Sequence, residues 1–166
     1  LDWRKRVAFC ATLKPMSINR FNCELKSVEG RERPIDLCDE TDTHFIFSND
    51  VMRVKINKET GLLDEYISGG INFLNKSGMK IVAYRDNEDP WGMEVDGYYD
   101  ILGEFKALNK QEANAFNGYP KREYESVRII ENGEVLLKIQ ALMKYSNSYA
   151  VVTYTIPKQF GYVDVS

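Results

Sequence analysis

The stretch YRDNEDPWGMEVDG, residues 84–97, concentrates the side chains best suited to chemistry. Asp86, Glu88, Asp89, Glu94 and Asp96 surround Trp91. Cleavage of a glycosidic bond needs two carboxyl groups across a sugar, about 5–10 Å apart, one as acid and the other as base or nucleophile. A loop with this many carboxylates can supply such a pair. Trp91 offers a flat apolar face that suits the C–H face of a pyranose. The same residues also suit a solvated acidic turn with a packed Trp, so a ligand-contacting loop and a surface turn both stand.

Elsewhere the chemistry is sparse. His44 is the only histidine. Its surroundings, DETDTHFIF, hold no G-x-S-x-G elbow, so the residue reads as structural or surface rather than as part of a nucleophilic triad. No Cys/His cluster has zinc-ligand spacing. The run DETD at 39–42 is rich in oxygen but lacks the glycine turn of a calcium loop. No glycine pattern cradles a phosphate. Cys10, Cys23 and Cys38 are odd in number and form no C-x-x-C pair. They read as free thiols in or near the core, in a reducing compartment such as the cytoplasm, with one disulfide plus a free thiol as the alternative.

The composition narrows the class. The 166 residues suit one domain with a sizeable core. With 43% apolar and 28% charged residues, the chain belongs to the globular class. A net charge of −3, from 22 basic and 25 acidic side chains, argues against a nucleic-acid partner. No apolar run approaches the roughly 20 residues that span a bilayer, so no membrane partner is expected.

The elements that must position these residues read as strands. VMRVKI places Met52, Val54 and Ile56 on one face, with Arg53 and Lys55 on the other. KETG makes a turn in which Gly61 takes the left-handed position, and LLDEYI returns as the hairpin partner. SGG at 68–70 breaks the pattern. MKIVAY, 79–84, is apolar enough for a central strand covered on both faces, so the acidic loop begins where the chain leaves the core. YYDILGEFKAL reads as a strand with a bulge at Gly103. QEANAF suits a short helix. YESVRIIENGEVLLKIQALMKY reads as a hairpin, with Asn132 and Gly133 in a type I′ turn that requires positive φ at both. Leu137, Ile139, Ala141 and Met143 then share an inward face. SNS at 146–148 makes the next turn, YAVVTYTIP the next strand, and FGYVDVS begins another. There are no βαβ units, so the chain is expected to be all-β, an antiparallel sandwich or barrel.

Four stretches together resemble the β-domain that follows the catalytic domain in glycoside hydrolase family 38, the α-mannosidases. They are VAFCATLKPMSINRF, FSNDVMRVKINKETGLLDEYI, IVAYRDNEDPWGMEVDGYY and IIENGEVLLKIQALMKYSNSYAVVTYTI. The resemblance implies an antiparallel β-sandwich of the supersandwich, galactose-mutarotase-like kind, incomplete at its C-terminus. Residues 1–40 would be a small β region or linker from an upstream part, and residues 41–166 the sandwich. It further implies a retaining hydrolase of terminal α-mannosides whose zinc or other divalent metal and nucleophilic Asp belong to the upstream α/β domain. No catalytic or metal residue carries over to this chain, which alone is expected to be inactive. Many family members have a Trp-Asp-x-Trp pattern where this chain has Trp91, Gly92 and Glu94. The resemblance offers Asp86, Asp89, Trp91 and Glu94 as candidates for the rim of the substrate site. The implied partners are the chain's own catalytic domain and an α-mannoside or oligosaccharide, and homo-oligomerisation is compatible with it. Two other readings fit the same residues: a stand-alone carbohydrate-binding module and a purely structural sandwich.

Overall fold

The computed structural model describes residues 6–24, 30, 36–88, 91, 97–118 and 123–166. Five strands run as a meander, each antiparallel to the next: β1 (Cys38–Glu40), β2 (His44–Ser48), β3 (Met52–Asn57), β4 (Leu63–Ser68) and β5 (Ile71–Asn72). A two-stranded hairpin follows, β6 (Val82–Tyr84) and β7 (Ile101–Glu104). The chain continues through β8 (Lys106–Ala107), α1 (Lys110–Asn117), β9 (Val127–Asn132), β10 (Leu136–Tyr145), β11 (Ser148–Pro157) and β12 (Asp164–Val165). The second sheet has the order β12-β11-β10, and β8 and β9 share the far edge of β10.

The alternation that predicts β3 also builds the core. Met52, Val54 and Ile56 are buried and their neighbours half-buried. Leu137, Ile139, Ala141 and Met143 from β10, with Val152, Tyr154 and Ile156 from β11, join them in one cluster. Each sheet has one apolar face, and burying it against the other removes both from water, at roughly 1.5–3 kcal/mol per large aliphatic side chain. The fold is therefore an all-β antiparallel sandwich, and neither sheet closes into a barrel. The helix packs outside the second sheet, where Ala113 meets Leu108 and the outward-facing Leu142. Asn109 and Glu112 form a reciprocal capping box at its start, and Gly118 ends it at φ +68°.

Three expectations need correction. The ENG segment is not a type I′ turn, because Gly133 lies outside the left-handed region. Pairing ends at Asn132 opposite Leu137, and four residues make the connection. Asn132 stays in its strand because its amide works elsewhere: Nδ2 donates to Asp36 Oδ1 at 2.9 Å, and Oδ1 accepts from Lys158 Nζ at 2.7 Å. The two-residue turn lies instead at Ser146-Asn147, with Ser146 at φ +52°.

MKIVAY is not a covered central strand. Only Val82–Tyr84 enters a ladder, Met79 sits at φ +66°, and Tyr84 is exposed. Its one ladder partner is β7, whose register shifts opposite Ala83 and Tyr84, beside Gly103. Finally, all three cysteines are free, but only Cys38 is buried, whereas Cys10 and Cys23 are exposed.

Candidate functional site

The acidic stretch forms the loop of the β6–β7 hairpin. The ladder extends one step past the strands, where Arg85 N–H donates to Asp100 C=O at 2.8 Å. Beyond that the chain leaves the sheet. Asp86 Oδ1 accepts from Asn87 N–H at 2.9 Å, which fixes the first bend. Asp86 and Glu88 are exposed. Trp91 is 83% exposed, so it does not pack down as a lid on the sandwich. Tyr98 and Tyr99 from the returning limb are exposed too. Asp89 and Glu94 lie outside the described residues. The described part of the loop is therefore an arm bearing aromatic rings and carboxylates, not an assembled acid/base pair.

A second feature escaped the sequence reading. A groove of about 670 Å³ opens where the two sheets meet near one end. Glu40, Asp42, Lys58 and Glu59 come from the first sheet, and Glu125 and Arg128 from the second. Lys58 Nζ is held by Glu40 at 2.6 Å and by the Thr41 carbonyl at 3.1 Å, and lies 5.2 Å over the Phe45 ring. The Arg128 guanidinium stacks under Tyr124 at 4.6 Å. Its Nη2 donates to Asn117 and Gln140, while the buried Nη1 finds no acceptor among the described residues. With Lys110, the lining comes from four separate parts of the chain, so no contiguous motif marks the groove.

His44 has a structural setting. Its Nε2 lies 2.9 Å from Asp64 Oδ2 and its Nδ1 2.8 Å from Thr43 Oγ1. Asp64 also accepts from Ser77 Oγ at 2.6 Å and Asn57 Nδ2 at 3.0 Å. The Ser77 hydroxyl thus serves the carboxylate rather than the imidazole, which is the wrong order for a nucleophilic triad. Partial burial pushes the Asp64 carboxyl up, but the hydrogen bonds from Ser77, Asn57 and His44 together outweigh this and hold it below its ordinary value. A carboxyl depressed in the folded state stabilises the fold above its unfolded pKa of about 4, and that stabilisation is lost as pH falls through the folded value. Asp64→Asn should therefore flatten the acid limb of a stability–pH curve. An acid limb identical to wild type would show that other carboxylates govern it.

Among the described residues, no group of three or more His, Cys, Asp or Glu side chains is arranged to hold a metal ion. No described helix is long and apolar enough to cross a membrane. No protein-family model, curated protein or solved structure matches the chain.

Proposed function

We propose that this chain is the non-catalytic β-domain of a glycoside hydrolase family 38 α-mannosidase. The observation that supports this best is the β6–β7 loop, in which Trp91 is 83% exposed and Tyr98 and Tyr99 on its returning limb are exposed as well. Exposed aromatic rings among carboxylates suit contact with a neighbouring domain or with a sugar, because each ring combines an apolar face with a polar surround. In this reading the sandwich packs beside an α/β domain that carries the divalent metal and the nucleophilic Asp. The intact protein hydrolyses terminal α-mannosides with retention, in a reducing compartment such as the cytoplasm. The arm contributes Asp86, Asp89, Trp91 and Glu94 to the rim, where they orient the sugar and help exclude water. The metal belongs to the other domain by the resemblance alone, and no residue of this chain is given a part in holding it.

The test is kinetic. The product of the complete open reading frame should release an aryl α-mannoside, and Trp91→Ala in it should raise KM about 3- to 10-fold with metal content unchanged. A full-length product without α-mannosidase activity would end the reading. Ordinary kinetics for both Trp91→Ala and Asp89→Asn would end the rim role.

The exposure of Trp91 also favours a second reading, a carbohydrate-binding module. It expects saturable quenching of tryptophan fluorescence when the isolated chain is titrated with methyl α-mannoside, lost in Trp91→Ala. No saturable quenching removes it.

A further inference from the structure

Among the described residues, strand β9 pairs with β10 alone. Leu142 N–H donates to Ser126 C=O at 2.8 Å, so Ser126 faces β10. Main-chain groups point alternately to the two sides of a strand. Val127 and Ile129 therefore turn away from β10, and the register shift lies beyond them. Among the described residues no backbone hydrogen bond from another segment reaches either.

This open edge runs along the groove between the sheets. Val127 and Ile129 point inward, in or against the core. Arg128 points outward, where its guanidinium donates to Asn117 of α1 and Gln140 of β10. All three line the groove, and a cavity that touches both faces of a strand passes along its edge. Charge and proline usually guard such edges. Strand β9 has no proline, and both its charges are engaged across the sheet, Arg128 with Gln140 and Glu131 with Lys138.

The facing wall has unused charge. Lys58 is paired with Glu40 at 2.6 Å, and Lys110 with Glu125 at 2.7 Å. Asp42 and Glu59, on two turns of the first sheet, are exposed and have no ion pair among the described residues.

We propose that the groove receives an extended peptide, which adds a strand to the outer edge of β9 and sets a lysine or arginine against Asp42 and Glu59. Extended backbone is what matches a strand edge, because its donors and acceptors repeat at the same two-residue spacing. Sugar hydroxyls have no such repeat. The two unengaged carboxylates select a cationic side chain on the peptide and repel an acidic one. The volume of about 670 Å³ is within the range of small-ligand clefts, so a few peptide residues enter and affinity is modest. This inference does not depend on the α-mannosidase reading.

The experiment uses the whole 166-residue chain and the probe acetyl-Ser-Val-Lys-Val-Ser-amide. Titration to low millimolar concentration should shift the Val127 and Ile129 amide resonances saturably. At saturation their exchange should slow about tenfold, while the amide of Leu142, already bonded, stays unchanged. The same peptide with glutamate in place of lysine should bind about tenfold more weakly. The Asp42→Asn, Glu59→Gln double variant should bind the two peptides alike, and both positions are exposed, so the fold should be kept. A peptide whose valines are N-methylated loses donors and should not bind. No saturable shift with the lysine peptide overturns the proposal, as does equal binding of the glutamate peptide by the unaltered chain. Binding without slower exchange at Val127 and Ile129 overturns the added strand. Strong protection of these two amides in the free chain overturns it too, because the chain's own backbone would then cover the edge.

Discussion

Gly61→Ala is expected to destabilise the chain by about 2–5 kcal/mol. Two costs add. Gly61 sits at φ +71°, where a side chain strains the backbone. A Cβ there would also lie 2.7 Å from Ala141 Cβ and 3.0 Å from Met143 Cε. Ala141 has no rotamer to yield with, so the two sheets would have to part. Gly61 closes the turn between β3 and β4 directly against Ala141 of β10, and its N–H donates to Asn57 C=O at 2.9 Å. The comparison is Gly133→Ala, where φ is ordinary and the nearest atom to a new Cβ, the Leu136 carbonyl oxygen, is 3.8 Å away. That change should stay within about 1 kcal/mol. Equal shifts in urea midpoint for the two variants would mean that the sheets do not meet at Gly61.

Tyr154→Ala should cost about 3–5 kcal/mol, because it empties a fully buried ring site. Tyr154→Phe should cost about 1–3 kcal/mol. The Tyr154 hydroxyl donates to the Gly61 carbonyl at 2.8 Å, and its loss leaves that buried acceptor without this donor. Burial first, then the Asp64 charge, pushes the phenol up to about 12, so it stays a donor at neutral pH. The stabilisation is full below the ordinary tyrosine pKa of about 10 and is lost as pH rises through the folded value. Thermal or urea unfolding of both variants checks the ranking. A Phe variant as costly as the Ala variant would assign the whole effect to the hydrogen bond.

The legible parts of the fold were those with local causes. Met52, Val54 and Ile56 alternate because only one face of β3 meets the core, and a period of two records that directly. QEANAF carried its own helix propensity, and KETG its own left-handed glycine. Asn132-Gly133 misled because the local turn preference competes with bonds to Asp36, 96 residues away in sequence, and to Lys158. MKIVAY misled because apolar composition does not specify how many strands will pair with it. For the site, the sequence located the loop that carries Trp91 and Asp86 but left open whether Trp91 packs on the sandwich or projects from it. It could not reveal the groove around Lys58 and Arg128, since proximity there comes from the docking of two sheets.

The first sheet is a meander in which every strand pairs with its neighbour in sequence. Short loops close at little entropic cost, so β1 to β5 can assemble by successive local steps. The contact between Tyr154 and Gly61 instead joins residues 93 apart. Long-range contacts of this kind slow folding. The chain should therefore cross its main kinetic barrier when the preformed halves come together. Changes at the Gly61–Tyr154 contact should then act chiefly on whichever rate, folding or unfolding, lies on the far side of that docking event.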